Sequence, residues 1–230
     1  MESLPQYVHV VFWIATLLTV FFFAKATKQP VAVSIVILIW LALQAFISLK
    51  GFYLVTDTIP PRFMLAVLPA LITIILFLVF KKGREWMDNL NQATLTLLHS
   101  IRILVELVLF WLFIHKAVPQ LMTFEGRNFD ILSGITAPLI FYFGYIKKVL
   151  GKGILLLWNF ICLALLFNIV IHAVLSAPFP FQQLAFDQPN IAVLHFPFIW
   201  LPCCIVPLVL FSHLICIRQL LRNGAPASTK

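Results

Sequence analysis

Long apolar runs separated by short polar stretches make up most of this chain. Seven runs occur, at about 6–25, 31–50, 62–80, 93–116, 130–147, 153–175 and 191–217. Each run has close to the ~20 residues that an α-helix needs to cross the ~30 Å hydrocarbon core of a bilayer. The pattern therefore predicts an all-α integral membrane protein in which residues 1–230 form a single domain of seven transmembrane helices.

Composition supports the membrane assignment. Hydrophobic residues make up 62% of the chain and charged residues only 10%, whereas soluble domains are roughly half apolar and a quarter charged. Lipid is therefore expected to cover much of the surface. The first apolar run does not have the pattern of a cleavable signal peptide, because its basic residues, Lys25 and Lys28, follow the run instead of preceding it.

Basic residues concentrate in alternate loops, which predicts the topology. Eleven of the sixteen lie on one side: Lys25, Lys28, Lys81, Lys82, Arg84, Lys147, Lys148, Lys152, Arg218, Arg222 and Lys230. By the positive-inside rule, these loops and the C-terminus are cytoplasmic and the N-terminus is outside, as in a multi-pass protein of the cell membrane. The net charge of +8 then indicates membrane lipids as partners, and no basic soluble face points to nucleic acid.

The seven runs also permit a three-plus-one-plus-three arrangement, in which the first three and last three helices are parallel repeats. The segments "IWLAL" at 39–43 and "ICLAL" at 161–165 match in this alignment. Repeats of this kind occur in small transporters. Short matches are common in apolar sequence, however, and do not establish the repeat.

The run at 93–116 contains three ionisable residues on one helical face. At 100° per residue, Arg102 lies about 60° and Glu106 about 20° from His99. This face must contact protein or water, because an ionisable group in hydrocarbon costs several kcal/mol. Arg102 and Glu106, four residues apart, are expected to pair within the helix. The face is then either a ligand or proton pathway or a buried ion pair that fixes helix packing.

Four histidines lie near the predicted outer boundary, each at an end of a different run. They are His9, His115, His172 and His195, and Asn168 shares the helical face of His172. If the first, sixth and seventh helices are neighbours, these side chains are expected to line an outward-facing polar pocket that binds either a polar ligand or a metal such as zinc, copper or iron. The alternative is that interfacial histidines only hydrate their ring nitrogens at the headgroups.

Six histidines in a predicted helical bundle are also enough to ligate haem. A two-haem protein needs two helices that each carry two histidines on one face. His99 and His115 lie about 160° apart around their helix, whereas His195 and His213 share a face. The pattern therefore argues against a di-haem protein and leaves one haem between His99 and His213 as the remaining haem hypothesis.

The outer loop "TFEGRNFD", at 123–130, is the most polar stretch predicted to face outward. Helix capping and a local ion pair between Glu125 and Arg127 explain its composition. Alternatively, Glu125, Arg127 and Asp130, together with Asp57 from another outer loop, line the mouth of a pocket.

Three prolines in the last run, at 197, 202 and 207, are expected to interrupt its helix. Each one frees the carbonyl four residues earlier, and in lipid these carbonyls need new partners. They belong to Val193, Phe198 and Cys203.

The sequence supports three functional hypotheses. The loop at 176–190 is expected to be either a lid at the outer interface or a wall of the bundle. In the first hypothesis, the outward-facing pocket leads to Arg102 and Glu106, the kinked seventh helix moves, and the protein binds or transports a small molecule or ion. In the second, the outer histidines form the metal site of a membrane-embedded enzyme or redox protein. In the third, the polar residues only hold together a structural subunit of a membrane complex.

Overall fold

The computed structural model describes residues 4–222, which form helices and loops without a strand. Eight helices follow one another in this part of the chain: α1 (Gln6–Lys25), α2 (Pro30–Leu49), α3 (Met64–Val79), α4 (Lys81–Asp88), α5 (Gln92–Ile114), α6 (Ile131–Ile146), α7 (Lys152–Leu175) and α8 (Leu201–Arg222). The prediction of an all-α fold is confirmed for these residues.

Five helices, α1, α2, α5, α7 and α8, are long and apolar enough to cross a membrane. A sixth is obtained if α3 and α4 count as one span, although the chain bends by 91° between them. Helix α6 is shorter than the run at 130–147 predicted for a full span. Seven helices of spanning length are therefore not confirmed.

The last helix begins about ten residues later than its apolar run predicted. Pro197 lies before the helix, and α8 opens with a π-helical turn, Leu201–Ile205, that contains Pro202. Proline cannot donate a backbone hydrogen bond, so regular α-helix starts only at Val206. The expected need for new carbonyl partners is confirmed at Cys203, whose carbonyl accepts a 2.9 Å hydrogen bond from Trp40 Nε1.

The main hydrophobic core lies between α1, α5, α7 and α8. Helix α1 packs along α5, the first part of α5 packs on α8, and α8 packs along α7. The buried side chains at these contacts include Val8, Phe12, Leu95, Leu98, Leu112 and Ile215.

The bundle has two ends that differ in chemistry. At the basic end, which comprises residues 25–30 and 81–92, Asn91 N donates to Ala26 O at 2.8 Å and joins the start of α5 to the end of α1. At the loop end, which comprises residues 51–63 and 176–195, the rings of Phe63 and Phe179 lie 5.6 Å apart.

Helix α6 is short because it begins inside the bundle. Asp130, the residue before α6, binds Arg102, which lies about 15 Å along α5 from Gln92 by helical rise. A Cβ atom at Gly134 would lie 2.9 Å from Ile103 N, so the two helices approach as closely as a glycine allows. The segment at 115–130 therefore re-enters the bundle before α6 starts.

Helix α2 is held mainly at its loop end. Its buried residues are Leu41, Gln44 and Ser48. Trp200 Nε1 donates to Leu41 O at 3.0 Å, and Tyr53 OH donates to Gln44 Oε1 at 2.5 Å. Burial raises the pKa of Tyr53 to about 12, so this phenol stays a neutral donor at physiological pH. Within residues 4–222, the half of α2 nearer the basic end makes no comparable polar contact.

Candidate ligand-binding site

A buried network centred on Arg102 joins four parts of the bundle. The guanidinium forms a bidentate pair with Asp130, through Nε to Oδ2 at 2.5 Å and through Nη2 to Oδ1. Its Nη1 lies 3.2 Å from His213 Nε2, and Nη2 donates to Cys162 O at 3.2 Å. Arg102 thus connects α5 to the start of α6, to α7 and to α8.

The face that the sequence predicts to contact protein or water lies inside the bundle, since His99, Arg102 and Glu106 are all buried. The predicted pair between Arg102 and Glu106 is not the pair that forms, because the re-entering segment brings Asp130 to the guanidinium. Glu106 instead accepts a 2.5 Å hydrogen bond from Asn128 Nδ2. Helical spacing placed Arg102 and Glu106 on one face, but it contains no information about a carboxylate that arrives from another element.

Asn128 orders the re-entering segment. Its Nδ2 donates to Met122 O at 3.0 Å as well as to Glu106, and its Oδ1 accepts from Asp130 N at 3.0 Å. These bonds satisfy backbone groups that would otherwise be buried without partners. Asn128 therefore connects the Glu106 carboxylate to the backbone of Asp130 through one side chain.

Two histidines stack at the centre of the network. The rings of His99 and His213 lie 3.8 Å apart with an interplanar angle of 15°, and His213 Nδ1 lies 2.9 Å from Asn159 Oδ1. Because a guanidinium only donates, His213 Nε2 accepts from Arg102 and the ring proton resides on Nδ1. Rings stacked at this distance leave no room for a porphyrin, so a haem between His99 and His213 does not fit this arrangement.

An apolar cavity of about 300 Å³ adjoins the network on its loop-end side. We call it the carboxylate cavity. Three polar residues line it, Glu106, Asp130 and Asn190, and its other walls come from apolar residues of α3, α5, α7, α8 and the loops, including Phe63, Met64, Leu109, Leu166, Phe179 and Leu201. The cavity therefore combines an apolar wall with three side chains that carry hydrogen-bond acceptor oxygens.

Two buried oxygens of residues that line this cavity have no protein partner among the described residues. They are Glu106 Oε2 and Asn190 Oδ1. The amide nitrogen of Asn190 is occupied, since it donates to Ala173 O at 3.2 Å. A buried acceptor without a donor costs about 1–3 kcal/mol. Both oxygens can therefore accept a hydrogen bond from a donor group that enters the cavity.

The loop at 176–190, for which the sequence predicts a lid or a wall, contributes to the cavity wall. Phe179 and Phe181 line the cavity, whereas Phe186 is exposed. Gln188 Nε2 fixes the loop by donating to Val118 O at 2.6 Å and to Phe113 O at 3.0 Å.

The four outer histidines are half-buried and do not line the carboxylate cavity. His172 Nδ1 bonds to Asn168 O of its own helix at 2.8 Å, and the His9 ring packs against Phe198. Within residues 4–222 no group of three or more His, Cys, Asp or Glu side chains is placed to hold a metal. The predicted convergence of His9, His115, His172 and His195 on zinc, copper or iron is therefore not found.

The remaining predicted pocket residues lie away from the cavity. Asn168 Nδ2 donates to Arg127 O at 2.8 Å and thereby fastens the re-entering segment to α7. Asp57, Glu125 and Arg127 are exposed, and in the described part of the chain they form no ion pair. Of the outer-loop candidates, only Asp130 reaches the site.

Several residues of the site do not stand out in the sequence. Asn159 carries a signal that could have identified it, since it is a polar side chain inside an apolar run. The position of Asn128 predicts only a helix cap. Asn190 gives no such signal, because it follows a proline in a loop where asparagine is common.

Residues 59–221 match the profile of a family described as a domain of unknown function, DUF8737. The match covers most of the chain, which therefore belongs to this family. It includes every helix from α3 to α8, and so the residues of the Arg102 network and of the carboxylate cavity. No curated protein matches the chain, and no solved structure matches it.

Proposed function

We propose that this protein is a multi-pass protein of the cell membrane that binds an amphipathic small molecule in the carboxylate cavity. The observation that carries the proposal is Glu106 Oε2, a buried oxygen without a protein partner at an apolar cavity of about 300 Å³. The apolar body of the ligand packs on the cavity wall, and its head group donates a hydrogen bond to Glu106.

The basic end lies in the cytoplasm in this proposal, and the N-terminus and the loop end lie outside. The lysines and arginines of the basic end support this orientation. Seven crossings are obtained when α6 and the re-entering segment at 115–130 together make the fifth one. Non-helical backbone is tolerated at membrane depth when it is buried in protein, as Asn128 and Asp130 are.

The charges around the cavity favour a ligand with an amine head group over one with an alcohol head group, and they disfavour a carboxylic acid. Arg102 is paired with Asp130, whereas Glu106 has no cationic partner in the described part of the chain. A protonated amine donates a charge-assisted hydrogen bond to this carboxylate. A hydroxyl supplies only a neutral donor, and a second carboxylate would be repelled.

Transport of the ligand is the further part of the hypothesis. Broken helices and irregular backbone line the substrate sites of many transporters. Here the re-entering segment supplies Asp130, and the π-helical turn of α8 supplies Leu201 and Pro202, to the cavity wall. These two interruptions are the places where the bundle can change shape around a ligand.

The experiment compares decylamine, decanol and decane as probes for purified protein in lipid nanodiscs, with the midpoint of thermal unfolding as readout. A molecule that binds only the folded state raises this midpoint. Decylamine is expected to raise it most, decanol less and decane least. Glu106→Gln should remove the advantage of decylamine, because the amide presents a donor where the carboxylate presented an acceptor.

Glu125→Gln is the matched control, since Glu125 is exposed and does not line the cavity. It should keep the full response to decylamine. An equal response of Glu106→Gln, Glu125→Gln and the unmodified protein would contradict the proposed site.

A further inference from the structure

A second and larger groove, of about 610 Å³, lies between α2 and α3, and its floor is formed by α8. We call it the α2–α3 groove. It shares no lining residue with the carboxylate cavity, so a ligand in the groove does not depend on the proposed function. Its walls extend from Ala32 to Trp40 on α2 and from Pro69 to Phe77 on α3.

The groove has the length of an acyl chain in one leaflet. Eight residues of helical rise on each wall correspond to about 12 Å, whereas half of a bilayer core is about 15 Å thick. The lining is apolar apart from a few side chains such as Gln29 and Thr73. Val36, which lines the groove on α2, is 68% exposed, so the groove is open on the side where lipid would lie.

The basic end of the groove carries positive charge that no carboxylate neutralises. Lys28, next to the groove residue Gln29, bonds only to the neutral amide of Asn89, from Nζ to Oδ1 at 2.9 Å. In the described residues, Lys25 and Lys82 have no acidic partner within 4.0 Å.

Arg84 keeps its positive charge, but part of its guanidinium is already occupied by backbone carbonyls. Its Nη1 donates to Leu78 O at 3.2 Å and to Val79 O at 2.6 Å. These two carbonyls end α3 at the 91° bend, where the following residues cannot reach them as helix donors. Among the described residues at this end, Lys25, Lys28 and Lys82 are cations bound neither by a carboxylate nor by the carbonyls that end a helix, and they are therefore available to an external anion.

Trp86 indicates that this end of the groove lies at the depth of the lipid headgroups. It lines the groove from α4, with its ring 4.9 Å from that of Phe77 and nearly parallel to that of Phe211. Tryptophan is enriched where the apolar core of a membrane meets the headgroups, because its ring is apolar and its N–H is polar. The groove thus leads from a basic, tryptophan-lined mouth into an apolar interior.

We propose that the α2–α3 groove binds one anionic glycerophospholipid, with an acyl chain along the groove and the phosphate beside Lys28. Lys25 and Lys82 add attraction at the headgroup. The acyl chain fills the space between α2 and α3 along Ala32–Trp40, where the described polar contact of α2 with the bundle is the bond from Trp40 Nε1 to Cys203 O. Charge complementarity favours this occupant over a second protein helix, which would leave the lysines without counter-charges.

The test is native mass spectrometry of the full chain with phosphatidylglycerol and phosphatidylcholine of identical acyl chains in equal amounts. The unmodified protein should retain phosphatidylglycerol preferentially. Lys28→Gln should lower this preference about fivefold, the factor expected for one basic residue near an anionic surface. Lys50→Gln, which changes an exposed lysine at the other end of α2, should leave it unchanged.

A second variant, Ala70→Trp, fills the groove from α3 and should abolish retention of both lipids. Ile72→Trp is its control, because Ile72 lies on the same helix, is 51% exposed and does not line the groove. The proposal is overturned if Ala70→Trp retains phosphatidylglycerol as Ile72→Trp does. It is also overturned if the unmodified protein is a dimer and Ala70→Trp makes it a monomer without changing lipid retention, because a second copy of the chain would then fill the groove. If Ala70→Trp does not fold, the comparison of the unmodified protein with Lys28→Gln decides. The proposal is then overturned if neither protein prefers phosphatidylglycerol to phosphatidylcholine.

Discussion

Helices α2 and α8 are both strongly apolar, but most of α2 is exposed on the surface of the bundle whereas most of α8 is buried inside it. The most apolar window of α2 has a mean hydropathy of 2.5 and is 17% buried within the chain, whereas that of α8 has a mean hydropathy of 2.0 and is 61% buried. The more apolar helix is thus the more exposed one. When lipid is the solvent, hydropathy indicates which surfaces tolerate lipid and does not identify the protein core.

The polar residues of the two helices explain this difference. Helix α8 buries Gln219, whose Nε2 donates to Met87 O at 2.7 Å and Leu90 O at 2.9 Å, and His213, which bonds within the Arg102 network. In α2, the buried polar side chains, Gln44 and Ser48, lie only near its loop end. Each helix is therefore held to the bundle where it has polar side chains that need partners.

The largest effect on the free energy of unfolding is expected from breaking the buried ion pair of Arg102 and Asp130. Arg102→Leu leaves Asp130 as a buried charge without a partner and removes the contacts of the guanidinium with His213 and Cys162 O. Loss of one member of a buried pair costs about 3–5 kcal/mol. The free energy of unfolding should fall by this amount in a denaturation titration of protein in mixed micelles.

The double variant Arg102→Leu with Asp130→Leu should regain much of the loss, because no buried charge then remains without a partner. Lys81→Gln is the control for an exposed pair. Lys81 lies 4.0 Å from Glu85 with its side chain 84% exposed, and pairs of this kind contribute about 0–1 kcal/mol. A loss for Arg102→Leu as small as that for Lys81→Gln would show that α8 is not held by this network.

A smaller effect should distinguish the two helices directly. Ile215→Ala in α8 removes a side chain that is 0% exposed and should cost about 2–5 kcal/mol of unfolding free energy. Ile39→Ala in α2 removes one that is 64% exposed and should change it by about 0.5 kcal/mol or less. Equal losses in the same titration would mean that α2 packs against protein as α8 does.

The smallest effect is expected at the close contact of α5 and α6. Gly134→Ala places a Cβ atom 2.8 Å from Ile103 Cγ1 and 2.9 Å from Ile103 N, and overpacking of this kind costs about 1–3 kcal/mol. Gly153→Ala is the matched control, because a Cβ atom there has no neighbour within 4 Å. Thermal unfolding of both variants measures the difference, and an unchanged midpoint for Gly134→Ala would contradict the close packing.

Much of the helical architecture could be predicted from local sequence. The runs at 6–25, 31–50 and 153–175 correspond within one residue to α1, α2 and α7, because apolar length and flanking polar or proline residues are local properties. The burial of His99, Arg102 and Glu106 was also predictable, since a helix places them on one face and ionisable groups are costly to leave in apolar surroundings.

The sequence alone thus determined which segments are helical, which of them are apolar enough to enter a membrane, and which face of α5 needs protein contacts. Only the tertiary structure decided that Asp130 binds Arg102, that Asn128 binds Glu106, and that α6 begins inside the bundle. Those contacts depend on the path of a loop between α5 and α6, and hydropathy and helical period carry no information about which elements meet in space.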